Sequence, residues 1–194
     1  MSRGTMALME WEHTVGDYVR LEAETEQKHE YYEGRIVAMG GGTIDHARLA
    51  SRVGFLLGQQ LDGKPCAVYS SDARVRVLAT GLITYPDLSI GCGPVEVDVD
   101  DPLAQTNPTV LVEVTSPSSE RHDRGTKLAH YKRILSVQEV VLVSHRERLI
   151  EVVRRCENGE WIVERGNAGE RVQVVSIGCT LDVDAVYHDA RSAS

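Results

Sequence analysis

The chain has 194 residues, 42% of them hydrophobic and 26% charged, with a formal net charge of −8. Those proportions exclude a disordered or fibrous polypeptide and suit one ordinary core, so a single domain over 1–194 is expected. The acidity argues against broad, nonspecific nucleic-acid binding, which depends on cations displacing counterions from phosphates, but leaves room for a local basic surface. No apolar run approaches the length needed to cross a bilayer and no apolar signal segment opens the chain, which points to a cytoplasmic protein. Cys66, Cys92, Cys156 and Cys179 lack the paired spacings of zinc or redox motifs, so four free thiols in a reducing compartment are expected.

Residues 1–13 read as a flexible start without a role. From Thr14 to Gln27, Val15, Tyr18, Val19 and Leu21 recur at helical spacing among acids, predicting a short amphipathic helix against a sheet edge. Glu33-Gly34 turns the chain between two short strand-like pieces within His29–Met39. Gly40-Gly41-Gly42 lacks the Gly-Lys-Ser/Thr of a phosphate loop and reads as a flexible turn. Thr43 or Asp45 then caps a helix to about Leu61, with Leu49, Ala50, Val53, Leu56, Leu57 and Gln60 as its buried stripe. His46 in its first turn is a surface or capping histidine on the bland reading and a substrate contact on the functional one.

The period then changes to that of strands, at Cys66–Ser71 and Ala73–Leu78 around a turn at Ser71-Asp72. The stretch from Thr84 to Ser116 holds two more, Thr-Tyr-Pro-Asp-Leu-Ser-Ile and Val-Leu-Val-Glu-Val-Thr-Ser-Pro. Alternation puts Asp87 on the face of Tyr85 and Ser89, and Glu113 on the face of Leu111 and Thr115. Val110, Leu111, Val112 and Val114 form a run of the kind a sheet buries on both faces, where an ionised carboxylate costs several kcal/mol unless it is compensated. If the two strands pair, Asp87 and Glu113 converge on one divalent cation, a hard-oxygen site that would supply the compensation. Between them Gly91–Pro108, with Glu96, Asp98, Asp100 and Asp101, lacks calcium-loop spacing and reads as a solvated polar loop.

Beyond Glu113, Ser118 or Ser119 can cap a helix with Leu128, Tyr131 and Ile134 or Leu135 on its inner face. Asp123, Lys127 and Tyr131 lie four apart on one side of it, either as an ordinary surface pair or as a device that carries the Lys127 ammonium across the carboxylate strands. With Arg121, Arg124, Lys127, Lys132 and Arg133 this is the most basic part of the chain, where a phosphate backbone would approach. The remainder reads as scaffold: strands at Glu139–Ser144, Leu149–Arg155, Trp161–Arg165 and Val172–Ile177, a hairpin turn at Asn158-Gly159, and a closing turn or helix near Asp182–Val186. The helix before Glu139 permits a parallel crossover, and the strands after it a meander that extends the sheet.

Several segments together resemble the Uma2 family (DUF820) of restriction-endonuclease-like proteins. They are Lys28–Tyr31 with Gly34–Met39, Tyr69 with Ser71-Asp72 and Val75–Val77, Tyr85-Pro86-Asp87, Val112–Val114 with Ser116–Ser118, and Asp123–Gly125 with Lys127 and Tyr131. The likeness runs in order from about Thr14 to Asp189. It implies the PD-(D/E)XK nuclease fold, an α/β (α+β) arrangement of a mixed β-sheet flanked by α-helices, with Mg²⁺ or Mn²⁺ held by acidic side chains. Carried over, Asp87 and Glu113 are the metal-binding acids, Val114 offers its backbone carbonyl, and Glu30 is the upstream glutamate. The superfamily pattern places Lys two residues after the strand glutamate, and this chain has Thr115 there, which nominates Lys127 from the following helix in its stead. His46, Arg124 and Tyr131 complete the candidate set as substrate-binding residues.

On this reading the chain hydrolyses DNA phosphodiesters with metal assistance, with Glu30, Asp87, Glu113 and Lys127 as the catalytic group. The competing readings are a noncatalytic nucleic-acid-binding or assembly module on the same fold, and a hydrolase for another phosphoester. A homodimer would supply one site per DNA strand, although no residue demands it.

Overall fold

A computed structural model describes residues 12–116 and 123–189. Ser118 and Ser119, the predicted helix caps, and Arg121 lie outside those residues, as do 1–11. Thr14 caps α1 (Val15–Glu24) in a reciprocal capping box with Asp17. Tyr18 on its inner face is fully buried and donates its hydroxyl to the His29 carbonyl at 3.1 Å, which docks α1 on β1 (His29–Tyr32). Glu33 and Gly34 then turn the chain into β2 (Arg35–Ala38) with φ of 48° and 77°, the two positive values that a type I′ hairpin requires. Thr43 caps α2 (Ile44–Leu61), whose Leu49, Val53, Leu57 and Leu61 are buried much as the spacing predicts.

The strands that follow are β3 (Cys66–Ser70), β4 (Arg74–Val77), β5 (Leu82–Thr84), β6 (Leu88–Cys92), β7 (Ala104–Gln105) and β8 (Val110–Val114). A π-helical stretch at Asp123–Lys127 leads into α3 (Leu128–Tyr131), and then come β9 (Glu139–Val143), β10 (Leu149–Arg155), β11 (Trp161–Asn167), β12 (Arg171–Val174), β13 (Cys179–Asp182) and α4 (Val183–Tyr187). The fold is mixed α and β, with sheets flanked by helices. A six-stranded sheet has the order β11-β10-β9-β8-β6-β3, a five-stranded one β2-β1-β5-β4-β7, and β12 pairs with β13. The crossover between β8 and β9 is parallel, and β9, β10 and β11 form the expected meander with Gly159 at its hairpin turn in positive φ.

The central strands β8 and β9 of the six-stranded sheet are buried on both faces, as the apolar run around Glu113 predicts. Val110, Val112 and Val114 pack with α2, β12, β13 and α4, while Leu111 packs on the other face with Val75, Val77 and Leu82 of the five-stranded sheet and Tyr131 of α3.

Four expectations change. Thr84–Ile90 is not one strand: the chain leaves the five-stranded sheet after Thr84 and enters the six-stranded one at Leu88, and Tyr85-Pro86-Asp87 is the passage between them. Pro86 has no N–H to continue a ladder, so Asp87 stands at the mouth of β6 rather than within it. Val172–Ile177 divides into β12 and a 3₁₀ turn at Val175–Ile177, and β12 joins the small sheet instead of the meander. Asp98 and Asp101 of the acidic loop are buried, not solvated, because Arg76 and Arg74 point inward from β4 and pair with them at 2.6 and 3.3 Å.

The fourth change concerns the cysteines, since only Cys156 and Cys179 are free. Cys66 and Cys92 are directly opposite each other on β3 and β6 and form a disulfide across a sequence separation of 26, a pairing that spacing alone could not disclose. Thiol titration of the unreduced, denatured chain is expected to find two reactive thiols rather than four. Loop-closure entropy for a separation of 26 gives the bond about 3.5 kcal/mol, so reduction or Cys92→Ser should lower the urea midpoint accordingly. A count of four thiols would remove the bond and this difference with it.

Candidate active site

The β6–β8 register brings the two predicted carboxylates together. Leu88 pairs with Val112, and one further step of the same antiparallel ladder sets Asp87 opposite Glu113. Asp87 Oδ2 accepts the Val114 N–H at 2.7 Å, which fastens the passage between the sheets to the last residue of β8. Glu30 arrives from the other sheet: Tyr31 pairs with Ile83, so Glu30 faces Thr84, and the Thr84 hydroxyl donates to Glu30 Oε1.

The ammonium comes from the helix, as the spacing of Asp123, Lys127 and Tyr131 allows. Lys127 Nζ stands 2.9 Å from Glu113 Oε1 and 3.5 Å from Glu30 Oε1, with its side chain 5% exposed. One turn later the buried Tyr131 donates its hydroxyl to the same Glu113 Oε1 at 2.5 Å. Tyr131 therefore reaches the carboxylate from inside the protein, where it positions Glu113. Lys127 closes the π-helical stretch, a distortion often found at functional sites.

Burial pushes the Glu113 carboxyl up to about 7; Lys127 opposes that shift, while the charges of Asp87 and Asp123 add to it. For Lys127, burial works to lower the pKa, but the carboxylates of Glu113, Glu30 and Asp123 more than reverse this and hold it above the usual lysine value. Burial first, and then Glu113, raise the Tyr131 phenol well above its ordinary range, so it acts as a donor.

Glu30, Asp87, Glu113, Asp123 and Lys127 line a cleft of about 670 Å³ together with Gly40-Gly41-Gly42, Thr43 and His46. His46 Nε2 is 3.2 Å from Asp87 Oδ2, and its pKa is raised by that contact, with burial working the other way. Arg124 stands apart: its guanidinium donates to Glu151 of β10, which Arg165 also grips at 2.8 Å. Sequence reasoning missed Thr84 and gave Asp123 no role beyond its pairing with Lys127. The first was legible as the alternating partner of Glu30 only once β1 and β5 were known to pair.

The donor set suits a hard divalent cation. Among the described residues, the hydrogen bonds and ion pairs of the two acids fall on Asp87 Oδ2 and Glu113 Oε1, and Oδ1 and Oε2 carry none of them. Val114 borders the same cleft. Among the described residues no three His, Cys, Asp or Glu side chains are gathered closely enough to cage an ion by themselves. Two carboxylates and a backbone carbonyl match instead the sparse protein ligation of Mg²⁺, which keeps waters and takes phosphate oxygens. No described helix is long and apolar enough to cross a membrane.

Residues 15–184 match the model of the Uma2 family, described as "Putative restriction endonuclease". An uncharacterized protein of Synechocystis is 34% identical over 171 residues, 88% of this chain and 89% of that one. A second uncharacterized Synechocystis protein is 24% identical over 150 residues, 77% of this chain and 85% of its own. Among solved structures, a putative nuclease belonging to DUF820 from Anabaena variabilis superimposes with a TM-score of 0.70 at 16% identity, over 87% of this chain and 96% of that one. That likeness extends to the fold, and the family match spans most of the sequence: the chain belongs to the Uma2 family.

Proposed function

We propose that the chain is a metal-dependent endonuclease that hydrolyses DNA phosphodiester bonds with Mg²⁺ or Mn²⁺. The observation that carries this reading is the buried ammonium of Lys127, 2.9 Å from Glu113, on a carboxylate that shares its cleft with Asp87. Charges gathered at a cleft, with a buried carboxyl pushed toward neutrality, mark a site built for chemistry, and phosphoryl transfer calls for such a group. When bound, a divalent ion supplies positive charge to the phosphate and acidity to a water, and Asp87 Oδ1, Glu113 Oε2 and the Val114 carbonyl are the groups to hold it. Lys127 stabilises charge that develops on the phosphate oxygens, or the water that attacks it, and Glu30, within reach of Lys127, orients that pair. Tyr131 keeps Glu113 turned toward the cleft.

The test is incubation of the purified chain with supercoiled, linear and single-stranded DNA in Mg²⁺, Mn²⁺ or EDTA, beside Asp87→Ala, Glu113→Ala and Lys127→Ala. Cleavage is expected with either ion, to vanish in EDTA, and to fall at least about 100-fold in each variant. Cleavage that survives all three substitutions would belong to a contaminant. DNA that is bound but left intact under every condition would make this a binding module.

A further inference from the structure

The deliberate feature of this cleft is that each acid has one oxygen held from two sides. Lys127 and Tyr131 hold Glu113 Oε1, while the Val114 N–H at 2.7 Å and the His46 ring at 3.2 Å hold Asp87 Oδ2. The geometry points to His46 as the positioning residue that aims Asp87 Oδ1 into the cleft, rather than as a contact for substrate. The inference rests on the reading of Asp87 as an ion ligand.

Two features of the chain build this contact. Asp87 follows Pro86 in the passage between the sheets, outside any ladder, so the backbone alone does not fix its side chain. The Val114 N–H restrains one oxygen along one direction, and the carboxylate can still rotate about that bond. A second contact, the His46 ring of α2 at 3.2 Å, limits that rotation, and only the first turn of α2 borders the cleft at this point. The ring also has a place prepared for it. A Cβ at Gly42 would stand 2.7 Å from His46 Nδ1 and 3.0 Å from its Cγ, so this residue lacks a side chain where the ring packs against the backbone. Gly40 and Gly41, beside it, meet nothing within 4 Å. Of the three glycines, Gly42 alone is required by a neighbour, and that neighbour is His46.

A residue that orients a ligand affects ion affinity even when substrate is absent, which separates this role from a substrate contact. Removal of such an outer partner typically weakens metal binding roughly 10- to 100-fold. The test is calorimetric titration of the metal-free full chain with Mn²⁺, with free Mn²⁺ followed by electron paramagnetic resonance, and with no DNA present. His46→Ala is expected to weaken Mn²⁺ binding by roughly 10- to 100-fold, and His46→Gln, whose amide can donate to Oδ2, to recover most of it. Gly42→Ala leaves the imidazole chemistry intact but displaces the ring, and is expected to move the affinity in the same direction. Phe55→Ala, at an exposed position of the same helix, should bind as wild type does. Thermal unfolding of each variant in EDTA identifies any that does not fold, and if His46→Ala is among them Gly42→Ala decides. Mn²⁺ binding in His46→Ala and Gly42→Ala equal to or tighter than wild type overturns the inference and leaves the nuclease reading standing. A wild-type chain that takes up no Mn²⁺ overturns both.

Discussion

Lys127→Met is expected to reduce metal-dependent cleavage by about 10²- to 10³-fold and to destabilise the metal-free protein by an amount that grows with pH. The side chain is 5% exposed and its partner Glu113 is equally enclosed, so the substitution leaves a carboxylate in the interior without its cation. Breaking a buried pair in this way costs about 3–5 kcal/mol if the survivor stays ionised. Glu113 has a second course, which is to take up a proton. In the wild type its folded-state pKa is already about 7, above the ordinary 4.5, so the native state holds a proton that the unfolded chain would release between those values. The stability this group contributes is therefore complete below about 4.5 and declines as pH rises toward 7. Without Lys127, the chief influence holding the value down is gone, and the decline continues beyond 7. Urea unfolding in EDTA should show a loss larger at pH 8.5 than at pH 5.5 by about 1 to 2 kcal/mol, at roughly 1.4 kcal/mol for each pH unit over which only the variant keeps the proton. An equal loss at both values, or a larger one at pH 5.5, would mean that Lys127 does not govern the charge of Glu113.

The parts of this site that were legible in the sequence are those set by local period. Lys127 and Tyr131 are four apart, and one helical turn does bring both to Glu113. Glu113 stands in an unbroken apolar run and is buried on the face that alternation assigns, with Leu111. What could not be read was pairing across the chain. Nothing near Arg74 and Arg76 reveals that Asp101 and Asp98 wait for them after a loop, and β4 looks half-polar until those partners are known. The Cys66–Cys92 bond is hidden for the same reason, since it depends on the register of β3 against β6. The division of Thr84–Ile90 between two sheets was signalled by Pro86, but an alternating pattern on both sides of a proline reads as one strand until its neighbours are assigned. The role of His46 was undecided at the level of sequence because a first-turn histidine faces wherever the preceding residues allow, and here Gly42 makes that choice.

Glu139→Ala and Glu113→Gln are expected to fail in opposite ways, although both glutamates are buried on adjacent parallel strands. They point to opposite faces of the sheet, since alternation puts Glu139 with Val141 and Val143 in the α2 core and Glu113 with Leu111 in the other. Both oxygens of Glu139 are used. Oε1 accepts from Arg154 at 2.6 Å and from the Val175 N–H at 3.1 Å, and Oε2 accepts from the Ser176 N–H at 2.9 Å and its hydroxyl at 2.5 Å. That carboxylate is fully occupied with joining β9 to the 3₁₀ turn, and its removal takes from Arg154 one of two carboxylate partners, Glu164 remaining at 3.0 Å, and from the Val175 and Ser176 N–H groups their acceptor, at a cost of about 1–3 kcal/mol. DNA cleavage per folded molecule should not change. Among the described residues Glu113 offers only Oε1 to its neighbours, and a glutamine keeps an acceptor there for Lys127 and Tyr131. Because burial already draws this carboxyl toward its neutral form, and Glu30 and Asp123 still face Lys127, Glu113→Gln should alter metal-free stability at pH 5.5 by no more than about 1 kcal/mol, yet abolish Mn²⁺-dependent cleavage through the loss of charge at Oε2. Urea titration and a DNA-nicking assay on the two proteins separate the cases. Similar destabilisation in both, with cleavage intact in Glu113→Gln, would place Glu113 beside Glu139 as a carboxylate that serves only to hold the sheet.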